Sequence, residues 1–192
     1  MRSGKIETSR RICACLLITV LAAGGESACR AENQSPFAQP EEQPVTATLI
    51  AEHDSMQPGG STRIGILCEI EDGWHIYAQA PGDAGLPTKV TWLGPAWVLF
   101  SPLQWPAPEE FHDPGDIRTF GYKDEVLLVS TLAFGGAEIA IGTGDVPVRA
   151  NVTWLACKEV CIPGKAELAL TLPISRTPPA PSARAELFAA TK

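Results

Sequence analysis

The chain has little that would tie it to a membrane, a nucleic acid or a nucleotide. Its longest apolar run, residues 12–23 (ICACLLITVLAA), is twelve residues, whereas a bilayer-spanning helix needs about 20. No later stretch approaches that length. No glycine-rich phosphate loop or dinucleotide fingerprint is present, and no second redox motif. A sustained helical period is also missing. Only three histidines occur, His53, His75 and His112, and none neighbours a cysteine pair, so no spaced ligand set for a metal can be written down. No cofactor is expected.

The short apolar run has a use of its own. Lys5, Arg10 and Arg11 precede it and small residues follow it, which is the pattern of a secretory signal cleaved after Ala28 or Ala31. Lipid anchoring at Cys29 would want a leucine-like residue three positions earlier, and Glu26 stands there. Residues 1–31 are therefore expected to be a signal peptide and the product to be periplasmic, with no stable membrane insertion afterwards. Cleavage removes five of the 15 basic and two of the 22 acidic residues. The remaining 10 against 20 give a net charge of −10, a poor match for nucleic acid or an anionic surface.

Residues 32–44 form a polar, Pro-rich leader. Residues 175–192 read as a Pro/Ala-rich, linker-like tail. The fold is expected within 45–174, enough for one domain with a core. There the hydrophobic period is two. Ile64, Ile66, Cys68 and Ile70 fall on one strand face, with Glu69 and Glu71 on the other. Asp72-Gly73 marks a turn, and 74–77 resumes the strand. Further strands are expected at 45–53, 88–93, 97–100, 126–132, 139–141, 146–155 and 166–172, separated by Gly- and Pro-containing turns. This density of short strands reads as a sandwich or a barrel. The five tryptophans are expected to anchor core and turns, and Asp83, Asp113 and Asp116 to serve turns.

Beyond the signal region three cysteines remain: Cys68, Cys157 and Cys161. Export places them in an oxidising compartment. Cys157 and Cys161 enclose three residues. In one extended strand their Cα atoms would lie roughly 13 Å apart, and a disulfide needs less than about 7 Å. If the two are bridged, the chain turns between them, at the tip of a hairpin. Such a ring constrains the unfolded chain by only roughly 2 kcal/mol, and a small exposed ring is readily reduced. Lys158 beside the pair favours a thiolate and Glu159 opposes it. A structural staple and a redox pair both remain open on this ground. Cys68 shares its face with isoleucines and is expected to act as a small core hydrophobe.

The stretch 154–164 (WLACKEVCIPG) resembles the cysteine segment of the N-terminal periplasmic domain of the thiol:disulfide interchange protein DsbD. Three other segments resemble that family in the same order: 72–77 (DGWHIY), 81–88 (PGDAGLPT) and 120–128 (FGYKDEVLL). The resemblance implies an all-β, immunoglobulin-like β-sandwich. It implies that Cys157 and Cys161 are the exchanging pair, Cys161 forming the mixed disulfide and Cys157 resolving it. It implies a cap that shields them, with Phe120 or Tyr122 as the shielding aromatic. The implied partners are a membrane electron-relay protein of DsbD type and oxidised periplasmic thioredoxin-like proteins, with cytochrome c biogenesis among the processes served. The three-residue spacing is narrower than in the best-known form, and with no membrane span, second redox motif or nucleotide-binding signature, regeneration of the pair is expected to require an outside donor. Against this stands a reading of another class, a β-sandwich binding module whose disulfide is only structural.

Overall fold

The structure, a computed structural model, describes residues 43–113, 115–135 and 144–191. The expected signal peptide, most of the leader and the expected strand at 139–141 lie outside these residues.

Ten strands follow one another among the described residues: β1 (Val45–Ala51), β2 (Ser61–Ile70), β3 (His75–Gly82), β4 (Lys89–Leu93), β5 (Val98–Phe100), β6 (Glu109–Asp113), β7 (Ile117–Tyr122), β8 (Glu125–Phe134), β9 (Asp145–Cys157) and β10 (Cys161–Pro173). They form two antiparallel sheets, one in the order β1-β2-β8-β5 and the other in the order β10-β9-β3-β7-β6, with β4 also paired to β9. The result is an immunoglobulin-like β-sandwich. Non-consecutive neighbours such as β2–β8 and β3–β9 are the long-range pairings that close such a fold.

The alternation in β9 shows how the sequence specifies the layers. Val146, Val148, Ala150, Val152, Trp154 and Ala156 are buried in the common core, and the residues between them from Asp145 to Thr153 are exposed. Side chains on a strand point to opposite faces in turn, so a single strand of this pattern has one core face and one wet face. On β2, Ile64, Ile66, Cys68 and Ile70 face the same core, as their spacing predicts. Cys68 is fully buried, and desolvation pushes its thiol up to about 12. Burial of this kind disfavours the thiolate that exchange chemistry requires. The turn before β3 also matches expectation: Gly73 has φ +79°, and Trp74 N–H donates to the Glu71 carbonyl at 3.0 Å.

The other face of the first sheet corrects the reading of the tail. Composition marks 175–192 as linker-like, but its described part packs back onto the sandwich. Ile50, Leu67, Leu127 and Val129 form a second apolar cluster, and Phe188 completes it with no exposed surface. Asp54 N–H bonds the Ala180 carbonyl at 3.0 Å and Ser182 N–H the Glu52 carbonyl at 2.9 Å. Arg63 donates to Glu52 Oε2 and to the Phe188 carbonyl, each at 2.8 Å, with its guanidinium 5.5 Å from the centre of the Phe188 ring. The hydrogen bond from Arg63 holds the Glu52 carboxyl below its ordinary range. An average over Pro and Ala hides one Phe that meets a complementary apolar face.

Candidate functional site

The long hairpin β9–β10 carries the cysteines. The two strands pair without a slip from Pro173↔Asp145 to Cys161↔Cys157, so the last pair before the tip is the cysteine pair itself. Cys157 and Cys161 form a disulfide, with Cα atoms 4.1 Å apart. Lys158, Glu159 and Val160 make the tip, closed by Lys158 N–H donating to the Val160 carbonyl at 3.1 Å. Pro163 and Gly164, expected after the turn, instead belong to β10. Gly164 lies against the Trp154 indole, where any Cβ would collide with the ring.

The two sulfurs are in unlike surroundings. Cys161 is exposed, while Cys157 is only 3% exposed. Cys157 sits opposite His75 on β3, and the next pair is Ile76↔Ala156. Because Ile76 and Ala156 face the core, His75, Tyr77 and Cys157 share the outer face of the second sheet. On that face the Tyr77 hydroxyl donates to Cys157 Sγ at 3.2 Å, and both residues are buried. The His75 ring packs edge-on to Tyr77 with centroids 5.2 Å apart, and stacks on Phe111 of β6 at 4.4 Å.

A loop covers Tyr77. Pairing of β3 with β7 shifts between Tyr77 and Gly82, and β3 leaves β9 so that β4 can pair with it further along. The intervening segment arches over the tyrosine. It begins at Asp83, whose backbone N–H donates to the Arg118 carbonyl at 2.9 Å and whose carboxylate accepts from Arg118 N–H at 3.0 Å. It ends at Thr88, whose hydroxyl bonds the Tyr77 carbonyl at 2.9 Å. At its crest Gly85, with φ +94°, lies against the Tyr77 ring; a Cβ there would meet three ring atoms. Only glycine fits both the left-handed backbone and the close approach.

The expected shields are placed elsewhere. Tyr122 pairs with Ile76 and so faces the core, where it belongs to the main cluster and donates to the Pro106 carbonyl at 2.9 Å. Phe120, two residues earlier on β7, packs against the same cluster. The structure does not bring either ring to the outer face with the cysteines; the aromatics there are Tyr77, His75 and Phe111. Lys158 is turned away as well: its ammonium donates to the Asp72 carbonyl at 3.2 Å, bracing the β2–β3 turn. The sequence does place His75 and Tyr77 on one strand face, but nothing in it says that Cys157 pairs with that face.

A groove of about 660 Å³ is lined by Leu86, Pro87, Trp154 and Pro163, with Lys89 and Lys165 at its walls; neither cysteine lines it. Leu86 is 63% exposed, and Val160 at the hairpin tip is 62% exposed. Among the described residues, no three His, Cys, Asp or Glu side chains gather where they could hold a metal ion. No helix of the described residues is long and apolar enough to cross a membrane.

Residues 42–173 match the family described as "Thiol:disulfide interchange protein DsbD, N-terminal". Comparison with curated protein sequences gives no match. Among solved structures, the chain resembles the N-terminal periplasmic domain of ScsB from Proteus mirabilis, with 22% identity and a TM-score of 0.55, covering 79% of this chain and 54% of that one. This chain thus spans about half the length of that relative. The Neisseria meningitidis DsbD N-terminal domain in its reduced form is a second neighbour, with 23% identity and a TM-score of 0.39, covering 72% of this chain and 96% of that one.

Proposed function

The chain belongs to the family of DsbD N-terminal domains, and on that premise we propose that it is a periplasmic thiol-disulfide exchange domain working through Cys157 and Cys161. Reducing equivalents reach the pair from a membrane electron-relay protein of DsbD type. The pair passes them to oxidised thioredoxin-like proteins of the periplasm, including those that serve cytochrome c biogenesis. The observation that carries this reading is the asymmetry of the disulfide: one sulfur exposed at a hairpin tip, the other buried against a hydroxyl donor.

The reaction needs only the two cysteines. In the reduced domain the Cys161 thiolate attacks a partner disulfide, joins one partner sulfur and releases the other as a thiolate. Cys157 then attacks Cys161 Sγ, the mixed disulfide breaks, and the partner leaves with two thiols. The domain is left oxidised, and the membrane donor returns the electron pair. An exposed sulfur suits the first attack because a bulky partner must approach along the S–S axis. A buried one suits the second, which happens within the chain.

Two exposed apolar side chains, Val160 in the hairpin tip and Leu86 in the loop that covers Tyr77, suit a protein partner. Leu86 and Val160 offer desolvation energy at contact, and such buried anchors carry most of the binding energy of an interface. We expect Leu86→Asp with Val160→Asp to slow reduction of a thioredoxin-like protein disulfide by about tenfold or more, a loss of about 1.4 kcal/mol or more of encounter energy. Reduction of the domain's own disulfide by dithiothreitol should change less than about twofold, since a small thiol needs no apolar dock. Equal slowing with both reagents, or with neither, contradicts the docking role.

A further inference from the structure

The exchange reaction places a full negative charge on Cys157, and the structure holds one hydroxyl against that sulfur. We propose that Tyr77 is a catalytic residue of the exchange, its hydroxyl stabilising the Cys157 thiolate that forms when the disulfide opens. This rests on the exchange reading above and assigns a residue to it.

The step can be written completely. A partner cysteine thiolate attacks Cys161 Sγ. A new S–S bond forms between them, the Cys157–Cys161 bond breaks, and its electron pair stays on Cys157 Sγ. No proton moves: the Tyr77 O–H keeps its proton and donates a hydrogen bond. In the reverse direction the same thiolate attacks Cys161 and expels the partner sulfur. A disulfide sulfur is a weak acceptor and a thiolate a strong one, so the Tyr77 contact strengthens as charge builds up. That is differential stabilisation of the transition state.

Three observations support this assignment over a hydroxyl that merely finds a partner in the interior. The first is burial: Cys157 is 3% exposed and Tyr77 4%. A thiolate formed there has lost most of its water, and an apolar surrounding alone would disfavour it. The second is preorganisation. The donor is fixed before reaction by the loop that arches over its ring at Gly85 and by the Thr88 bond to its carbonyl. The third is the disposition of the charged residues of the tip. Lys158 directs its ammonium to the Asp72 carbonyl, and Glu159 is exposed.

The test uses the processed chain with Cys161→Ala, which leaves Cys157 as a single site-borne thiol, and follows its alkylation by iodoacetamide against pH. With Tyr77→Phe added, the midpoint of the profile should rise by about one pH unit. Alkylation near neutral pH should then slow about tenfold, the effect of one hydrogen bond to an ionised group. In the chain with both cysteines, Tyr77→Phe should slow opening of the disulfide by glutathione by about the same factor. Installing 3-fluorotyrosine at position 77 keeps the ring and strengthens the donor, so it should move the midpoint the other way; it also decides the matter if Tyr77→Phe does not fold. Superposable pH profiles for tyrosine, fluorotyrosine and phenylalanine at 77 overturn the proposal. If the parent disulfide instead resists glutathione while the fold is native, the exchange reading fails, and the alkylation profile still reports on Tyr77.

Discussion

Cys161→Ala is expected to abolish exchange with a protein partner, while Cys157→Ala should turn the domain into a trap that holds its partner through Cys161. Both single variants should lose catalytic turnover completely, falling to the rate measured without the domain, but they should fail at different points. Without Cys161, the remaining sulfur is the 3%-exposed one, and a partner disulfide cannot reach it in line. No mixed disulfide should accumulate. Without Cys157, the first attack proceeds at the exposed sulfur and nothing resolves the product. Non-reducing gels or intact mass would show a stable one-to-one adduct for Cys157→Ala and none for Cys161→Ala. Equal trapping by both variants would mean that the observed burial does not set which sulfur reacts. Cys68 should not interfere, because it has no exposed surface for a partner to reach.

Phe188→Ala is expected to lower stability by about 3 kcal/mol or more, the usual loss for a fully buried aromatic. Its ring has no exposed surface and closes the cluster of Ile50, Leu67, Leu127 and Val129 on the outside of the first sheet. Removing it leaves a cavity and bares Leu67, a residue that is now completely buried. For a domain of this size the loss corresponds to a fall in Tm of about 10 °C, measurable by circular dichroism. Exchange activity well below the transition should be unchanged, because the cysteines lie on the other sheet. A shift of less than about 2 °C would show that the tail is not part of the folded unit.

Much of this architecture is legible in the sequence. The alternation of Val146, Val148, Ala150 and Val152 announces a strand with one core face, and the isoleucines flanking Cys68 place that thiol inside. The requirement that Cys157 and Cys161 approach within bonding distance announces the hairpin. The structure agrees on all three. What is not legible depends on register between distant strands. Tyr77 and Cys157 are 80 residues apart, and only the pairing of His75 with Cys157 puts them on one face. The shield at Phe120 or Tyr122, which only the resemblance implies, likewise depends on register. A shift of one residue moves every side chain of a strand to the opposite face, and in β7 the pairing Ile76↔Tyr122 sends both rings to the core. The tail is missed for another reason. Low hydrophobicity on average conceals a segment held by a few specific contacts, here Phe188 on an apolar patch and Arg63 on its carbonyl.

The measurement that tests the central claim most directly is a redox titration of the Cys157–Cys161 pair in glutathione buffers, with free thiols counted by mass and the fold followed by circular dichroism. The account predicts a reversible two-electron transition that is complete while the domain remains native, at a potential in the range of exchange proteins, about −120 to −270 mV. A disulfide that stays closed until the protein unfolds would contradict it, and would make the hairpin bridge a structural staple.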